Sequence, residues 1–296
     1  MSQTGTRESE PAVGKFSTYK KWTLDDRTGP YEEGKTLSSK QFLDELKEKY
    51  VEPARRYMRE DPMVLLLANE NVTDEQYFKL LAQRWNFERS VGAIHATWLL
   101  NYTLGMHGEL QEVENLEVRQ IYEEYKHARL HEDAILKKGY LDTRWELHSH
   151  PMAQLLPEGM AFHTFLQRLG NMPVPVRAAA NHIATEAPLV YWFDLAGRLT
   201  RDKTVADVFE AQVIEETGHG HIGEYVVERY CNTSELQAMT RYICEHITEL
   251  VRRHRQSMYD FVVTQDADRL VVRNKDGTVK PMKPGAGIKP NQNLSF

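Results

Sequence analysis

Two short segments of the chain, Glu124-Tyr-Lys-His127 and Glu216-Thr-Gly-His219, share the spacing Glu-x-x-His. Residues three apart lie on one face of a helix, so each segment turns a carboxylate and an imidazole toward the same point. Glu88 and Glu186 stand near the middle of two further segments with helical periodicity. Two Glu-x-x-His pairs plus glutamates from two other helices make the donor set of carboxylate-bridged di-iron and di-manganese proteins. Carboxylate oxygen and imidazole nitrogen suit iron, with manganese as the other metal these donors accept, and open coordination positions would admit dioxygen.

A single Glu-x-x-His is expected by chance in a helical chain of this size, and its neighbours decide how to read it. Glu216 shares a helical stripe with Phe209, Val213, Gly220, Gly223 and Val227, and Glu124 shares one with Ile121, Ala128 and Ile135. Glu186 sits in the mostly apolar run Asn181-His-Ile-Ala-Thr-Glu-Ala-Pro-Leu-Val190. A carboxylate on a buried face is costly unless it is paired or bound to a metal. The plain alternative is that Glu124 and Glu216 face water and their histidines are ordinary. Glu123 and Glu215, each one residue ahead, compete for the same histidines at i,i+4 spacing. Glu88 fits either a metal bundle or an ion-paired face in Arg84-Trp-Asn-Phe-Glu-Arg89. His131, one turn beyond His127, and His182, one turn before Glu186, are further candidate ligands or their supports. His95, His163 and His221 read as ordinary hydrogen-bonded histidines, and Tyr77, Trp85, Trp98 and Trp192 as core.

The elements that must position these groups are helices. Apolar periodicity predicts helices over about 39–58, 73–104, 112–138, 158–169, 173–199, 204–230 and 234–262. Asp61-Pro62 ends or interrupts the first. Capping boxes at Thr73-Asp-Glu-Gln76 and Ser234-Glu-Leu-Gln237 open two of the others. Gly105, Gly139 and Gly170 read as stops. The expected fold is all-α, about seven helices in one domain spanning 39–264, with a polar extension at 1–38 and an irregular tail at 265–296. A hairpin around Lys275-Asp276-Gly277-Thr278 is the one strand signal, because Asp-Gly suits a two-residue turn.

Composition narrows the function classes. The 296 residues carry a formal charge of −6, which argues against nucleic acid or an anionic membrane as the main partner. Two cysteines, Cys231 and Cys244, exclude a disulfide framework and cysteine-ligated clusters. Met1–Gly14 lacks the apolar stretch of a secretory signal, and no run of about 18 apolar residues exists to span a bilayer. A cytoplasmic homodimer acting on a small molecule, with an external electron donor, is the expectation.

These donors fit two families. In the ferritin-like four-helix bundle the six ligands would be Glu88, Glu124, His127, Glu186, Glu216 and His219. From about Ser39 to Val262 the chain more closely resembles the heme-oxygenase-like superfamily. That group includes thiaminase-II, pyrroloquinoline-quinone synthase and the di-iron oxidases and oxygenases called HDOs. The resemblance is carried by Asp61-Pro-Met-Val64, Gln83-Arg-Trp-Asn-Phe87, His127-Ala-Arg-Leu130 with Gly139-Tyr-Leu-Asp142, Ala179-Ala-Asn-His-Ile-Ala-Thr-Glu186-Ala-Pro-Leu189 and the run from Val208 to His219. It implies a heme-oxygenase-like bundle and a non-heme di-iron oxidase or oxygenase. His127 and His219 would hold one iron each, Glu186 would bridge, and Glu124 and Glu216 would complete the set. Gln212 stands where that family has a histidine, and Glu216 where it has aspartate. His131, His182 or Glu88 would then supply the missing ligand. A metal-free oxidase like the quinone synthase, and a non-catalytic helical binding protein, are the alternatives.

Overall fold

The computed structural model describes residues 36–69, 71–105, 111–264, 272–273 and 279–280. It is an all-α bundle. The helices are α1 (Ser39–Leu46), α2 (Ala54–Tyr57), α3 (Pro62–Leu67), α4 (Asp74–Gly105), α5 (Gln111–Lys137), α6 (Arg144–Ser149), α7 (Pro157–Leu169), α8 (Val174–Ala178), α9 (Ala187–Leu199), α10 (Lys203–Tyr230) and α11 (Ser234–Val263). Two wider-wound π segments, Lys47–Val51 and Ala179–Glu186, follow α1 and α8. No helix among the described residues is long and apolar enough to cross a membrane. Val272–Arg273 and Val279–Lys280 form a two-residue antiparallel ladder, pairing Val272 with Lys280 and Arg273 with Val279. The turn expected between them, the N-terminal extension before residue 36 and most of the tail lie outside the described residues.

Local chemistry sets the helix starts. Thr73 and Gln76 form the expected capping box on α4: Gln76 N donates to Thr73 Oγ1 at 3.2 Å and Thr73 N donates to Gln76 Oε1 at 2.9 Å. The α11 cap falls one residue earlier than expected, on Thr233, whose hydroxyl accepts from Leu236 N at 3.2 Å. Gln237 is thereby released for another task. Its amide clamps both backbone groups of Leu37, at 2.9 and 2.8 Å, and ties the entry of α1 to α11. Asp61-Pro62 does end the first helical stretch, but it also starts α3. Asp61 Oδ1 accepts from Met63 N and Val64 N at 3.1 Å, and Pro62 occupies a first-turn position where a missing N–H costs nothing. Gly139 closes α5 with φ 69°, a conformation open to glycine without strain.

The core is split, and the split locates the site. One apolar cluster gathers Phe42, Leu46, Trp98, Phe162, Leu169, Ile222 and Val226; a second gathers Met58, Phe78, Trp85, Phe193, Val205 and Phe209. Each such large side chain contributes roughly 1.5–3 kcal/mol on burial. Of the stretches of chain that run through both clusters, four carry the site residues. On α4 the clusters meet between Trp85 and Phe87, and on α5 they are separated by the stretch from Val113 to Ala128. From the π segment into α9 the change falls between Ala184 and Leu189, and on α10 between Phe209 and Ile222. Glu88, Glu124, His127, Glu186, Glu216 and His219 lie at or within these four transitions, all buried. A polar layer thus sits between two dry ones.

Close approach of the backbones holds the layer together. α4 packs along α5, and the π segment with α9 packs along α10. A methyl group on Gly92 would lie 3.2 Å from the Glu124 Cβ, and one on Gly223 would lie 2.7 Å from the His182 Cβ. Both glycines therefore sit where a helix must come close to a site-bearing segment. The π segment has a sequence cause in Pro188. Its ring cannot follow a regular α-turn without striking the carbonyl four residues earlier, and it offers no N–H to that carbonyl. One widened turn absorbs the conflict, and within it Thr185 Oγ1 donates to Ala180 O at 2.9 Å, five residues back.

Candidate metal centre

The two histidines of the Glu-x-x-His pairs face each other across the layer, ring centroids 6.0 Å apart. Between them lie Glu124 and Glu216. His127 Nδ1 is 3.4 Å from Glu216 Oε1 and 4.0 Å from Glu124 Oε2. His219 Nδ1 is 3.5 Å from Glu216 Oε2 and 3.5 Å from Glu124 Oε1. Each of these two carboxylates thus turns one oxygen toward each imidazole. Glu88 closes one side: it, Glu124 and His127 offer donor atoms within 4.8 Å of one another. Glu186 closes the other with Glu124 and His219, under the same limit. Glu186, expected to bridge, lies on the His219 side, its Oε2 4.0 Å from His219 Nδ1 and 2.7 Å from His182 Nδ1, whereas Glu124 and Glu216 face both imidazoles.

The other nitrogen of each histidine is fixed from the opposite helix. His127 Nε2 lies 3.0 Å from Glu215 Oε2 on α10, and His219 Nε2 lies 3.1 Å from Glu123 Oε2 on α5. Glu215 is in turn paired with Lys126, and Glu123 with Arg119 at 2.7 Å. A carboxylate accepting the Nε2–H leaves the Nδ1 lone pair free to bind a metal, the usual arrangement at histidine-ligated ions. Among the described residues neither Nδ1 has a hydrogen-bond partner, although both are buried. Two orphaned nitrogens aimed at a group of carboxylates are what a cation would satisfy, so the residues present fit a metal pair.

Electrostatics agree. Burial, reinforced by Glu88, Glu216 and Glu186, pushes Glu124 well above the usual carboxylate range. Burial opposes the imidazolium of His219, yet the Glu123, Glu216 and Glu186 carboxylates outweigh it and hold that ring well above an ordinary histidine. Protons here stand where positive charge is wanted. Four carboxylates (Glu88, Glu124, Glu186 and Glu216) would balance two divalent ions bound by neutral imidazoles.

The remaining candidates fall around this group. His182 Nδ1 lies 2.7 Å from Glu186 Oε2, so His182 supports a carboxylate and lies outside both donor groups. Burial works against its charged form, but Glu186 and Glu117 raise it to about 9. His131 also lies outside the groups, and its Nε2 lies 3.0 Å from the Gln212 Nε2 amide nitrogen, which donates to it. Burial, with Arg84 and His127 nearby, drives His131 well below its ordinary value, which keeps it neutral. Gln212, at the position where a ligand histidine was sought, therefore pairs with His131 one turn from the cluster.

One supporting contact, the Arg84–Glu88 pair, is the ion pair offered by the sequence; the others escaped the sequence reading. Arg84 binds Glu88 from one turn back on α4. Gln120 Nε2 donates to Glu186 Oε1 at 2.8 Å and to Glu124 Oε1 at 3.3 Å, and Asn181 Nδ2 donates to Glu186 Oε1 at 2.8 Å. Behind them Glu117 stands between His95 Nδ1 at 2.7 Å and His182 Nε2 at 3.6 Å. The signal that would have found Glu123 and Glu215 was visible: both motifs read Glu-Glu-x-x-His. Comparisons with family models, curated proteins and solved structures give no match to this chain, so the centre rests on its own geometry.

Proposed function

We propose that this chain is a binuclear non-heme metalloenzyme, a di-iron oxidase or oxygenase acting on a small organic substrate. The observation that carries the reading is the pair of orphaned Nδ1 atoms on His127 and His219, each facing Glu124 and Glu216. His127 and Glu88 would hold one ion, His219 and Glu186 the other, and Glu124 and Glu216 would reach both. Two bound irons would supply the electrons and the open positions needed to activate dioxygen, with manganese as the alternative metal. An external electron donor would restore the reduced state.

The chain's own residues do the rest. Glu123 and Glu215 fix the two imidazoles, while Arg84, Gln120, Asn181 and His182 fix the outer carboxylates. The run Glu186, His182, Glu117, His95 can take up or return a proton at Glu186 Oε2 as the charge of the centre changes. Phe87, Val91, Phe162 and Leu166 wall the side of the centre that a substrate would approach, and they keep water out of it.

Of the two families these donors fit, the ferritin-like set gains from Glu88. That set needs a glutamate from the helix preceding the first Glu-x-x-His, and Glu88 on α4 is within reach of Glu124 and His127. The heme-oxygenase-like reading draws on the sequence resemblance alone. Anaerobic Fe(II) titration followed by a pulse of dioxygen, read by stopped-flow absorbance, tests the proposal. About two irons per chain and a transient visible band are expected from a carboxylate-bridged pair; no binding and no band would sink it.

A further inference from the structure

Three adjoining cavities lead from the surface to the carboxylate cluster. The outermost has a volume of 470 Å³, within the roughly 300–1,000 Å³ usual for small-molecule sites. Thr185, Leu189, Val251 and Arg255 are shared between it and a passage of only 20 Å³. Phe87, Phe162, Thr185 and Leu189 are shared in turn with an innermost space bounded by Glu88, Glu124, Glu186 and Glu216. A passage of that size has room for roughly one water, so only a slender part of a ligand can enter it.

The charges along this route are already matched. On the outer wall Lys49, Arg252 and Arg255 pair with Glu245, Glu249 and Asp61, and Glu60 is exposed to water. Much of the remaining wall is apolar, through Met58, Pro62, Ala184, Pro188, Leu189 and Val251. In the passage Arg84 pairs with Glu88, the Trp192 indole N–H donates to Asp61 Oδ1 at 3.0 Å, and the Thr185 hydroxyl donates to Ala180 O. A charged ligand would lose its water here and find no free counter-charge.

His254 is the exception among these polar groups. It lines the passage and is only 5% exposed. Neither ring nitrogen has a hydrogen-bond partner among the described residues. The ring lies flat on Phe87, centroids 5.0 Å apart and planes 8° apart. A methyl group on Gly159 of α7 would lie 3.2 Å from Nδ1 and 3.1 Å from Cε1, so that edge is pressed against α7. The opposite edge, with Nε2, is the one left to the passage. Burial, with His163, Arg84 and Arg255 nearby, pushes the imidazolium down to about 3, so the ring is neutral and carries one N–H. On Nδ1 that proton would be a buried donor with nothing to accept it; on Nε2 it can meet a ligand acceptor.

We infer that this route selects a neutral, largely apolar molecule with one oxygen acceptor, a carbonyl or a hydroxyl, and that the His254 Nε2–H holds this oxygen. The apolar body fills the outer cavity, and the slender end beyond the oxygen points into the carboxylate cluster. The inference names the substrate class for the metal centre proposed above and rests on that reading.

The probes are three molecules of similar shape, 4-phenylbutan-2-one, butylbenzene and 3-phenylpropanoate, titrated by calorimetry into the full metal-free chain. The ketone is expected to bind about fivefold tighter than the hydrocarbon, the worth of one hydrogen bond between neutral groups, and the acid weakest. His254→Phe keeps a ring on Phe87 and removes the N–H. It is expected to bring the ketone down to the level of the hydrocarbon, whose own affinity is unchanged. Should that variant not fold, the wild-type ranking decides, together with the nitrogen-15 shift of His254 Nε2, which is expected to move with the ketone and not with butylbenzene. No binding, equal affinity for ketone and hydrocarbon, tightest binding by the acid, or a ketone preference that survives His254→Phe overturns the inference. Loading with Mn(II), read by loss of the free-ion electron spin resonance, separates the two readings. In the loaded chain the ketone methyl protons are expected to relax faster than its ring protons, and the reverse order overturns the orientation. Metal uptake with no ketone preference overturns the substrate class and leaves the metal centre standing. Ketone preference with no metal uptake supports the His254 site and overturns the metal centre.

Discussion

The two halves of the polar layer use the same donor types but are held differently. Both imidazole clamps are backed by a permanent charge, Lys126 behind Glu215 and Arg119 behind Glu123, but the outer carboxylates differ: Glu88 pairs with the guanidinium of Arg84. Arginine stays protonated at any pH a protein survives. Around Glu186 and His219 the carboxylate is held instead by two amides and a histidine, Gln120, Asn181 and His182. The first half is therefore fixed in charge and sparsely hydrogen-bonded, whereas the second is densely hydrogen-bonded and can change charge by one proton. Identical ligands need not make equivalent sites.

Removing what the halves share should have the largest effect. At a hundredfold excess over Kd, a bound ligand stabilises by about 2.7 kcal/mol. For a chain of this size that is a rise of about 4–5 °C in Tm. Glu124→Ala and Glu216→Ala are each expected to abolish this rise in a thermal scan with and without Fe(II) or Co(II). Two ions retained in either variant would mean that these carboxylates do not reach both.

The halves should then separate. Glu88→Ala and Glu186→Ala are each expected to lower the metal content from two ions to one, measured by elemental analysis after dialysis. Loss of both ions from one variant and neither from the other would show one site to be a prerequisite for its neighbour. A smaller effect is expected from Glu215→Gln and Glu123→Gln. Weakening the hold on a ligand imidazole typically costs about 10–100-fold in metal affinity, read by competition with a chromophoric chelator.

The smallest effect, and the sharpest test of the contrast, is a pH dependence confined to the second half. The His182 imidazolium is raised to about 9 from an ordinary 6.5. A raised value means that the protonated form is preferred in the folded chain, so its stabilisation is full below 6.5 and fades as pH climbs through about 9. The metal-free protein should lose Tm as pH rises through that window, and His182→Gln should reduce the loss, the remainder coming from His219, which its carboxylate neighbours also hold well above an ordinary histidine. Arg84→Gln should lower Tm without altering the slope, because its charge does not titrate there.

Much of this was legible in the chain, for stated reasons. Long helices with caps and glycine stops were readable because apolar periodicity persists over many turns, as in α4, α5 and α10. The shared face of each Glu-x-x-His pair was readable because i,i+3 spacing is rigid. Short pieces were not: α3 and α6 have six residues each, too few for a period to establish itself. The π segment was invisible because periodicity assumes one winding throughout, and Glu186, its last residue, lies on the His219 side. Pro188 was the available clue. Glu123 and Glu215 were seen only as competitors of Glu124 and Glu216, since one sequence gives no way to know that a helix 90 residues away supplies the complementary histidine. His95 was read as ordinary, and only the fold brings it to Glu117.

The crossed support of the two histidines also has a consequence for how α5 and α10 find their alignment. Each helix carries the Glu-x-x-His donors of its own motif and the clamp for the other's imidazole. Sliding one helix by a single turn would break both clamps together, so no half-correct alignment keeps one of them. The pair behaves as a keyed joint, and transplanting the centre into another bundle would require both five-residue keys, Glu123–His127 and Glu215–His219, to be moved as one piece.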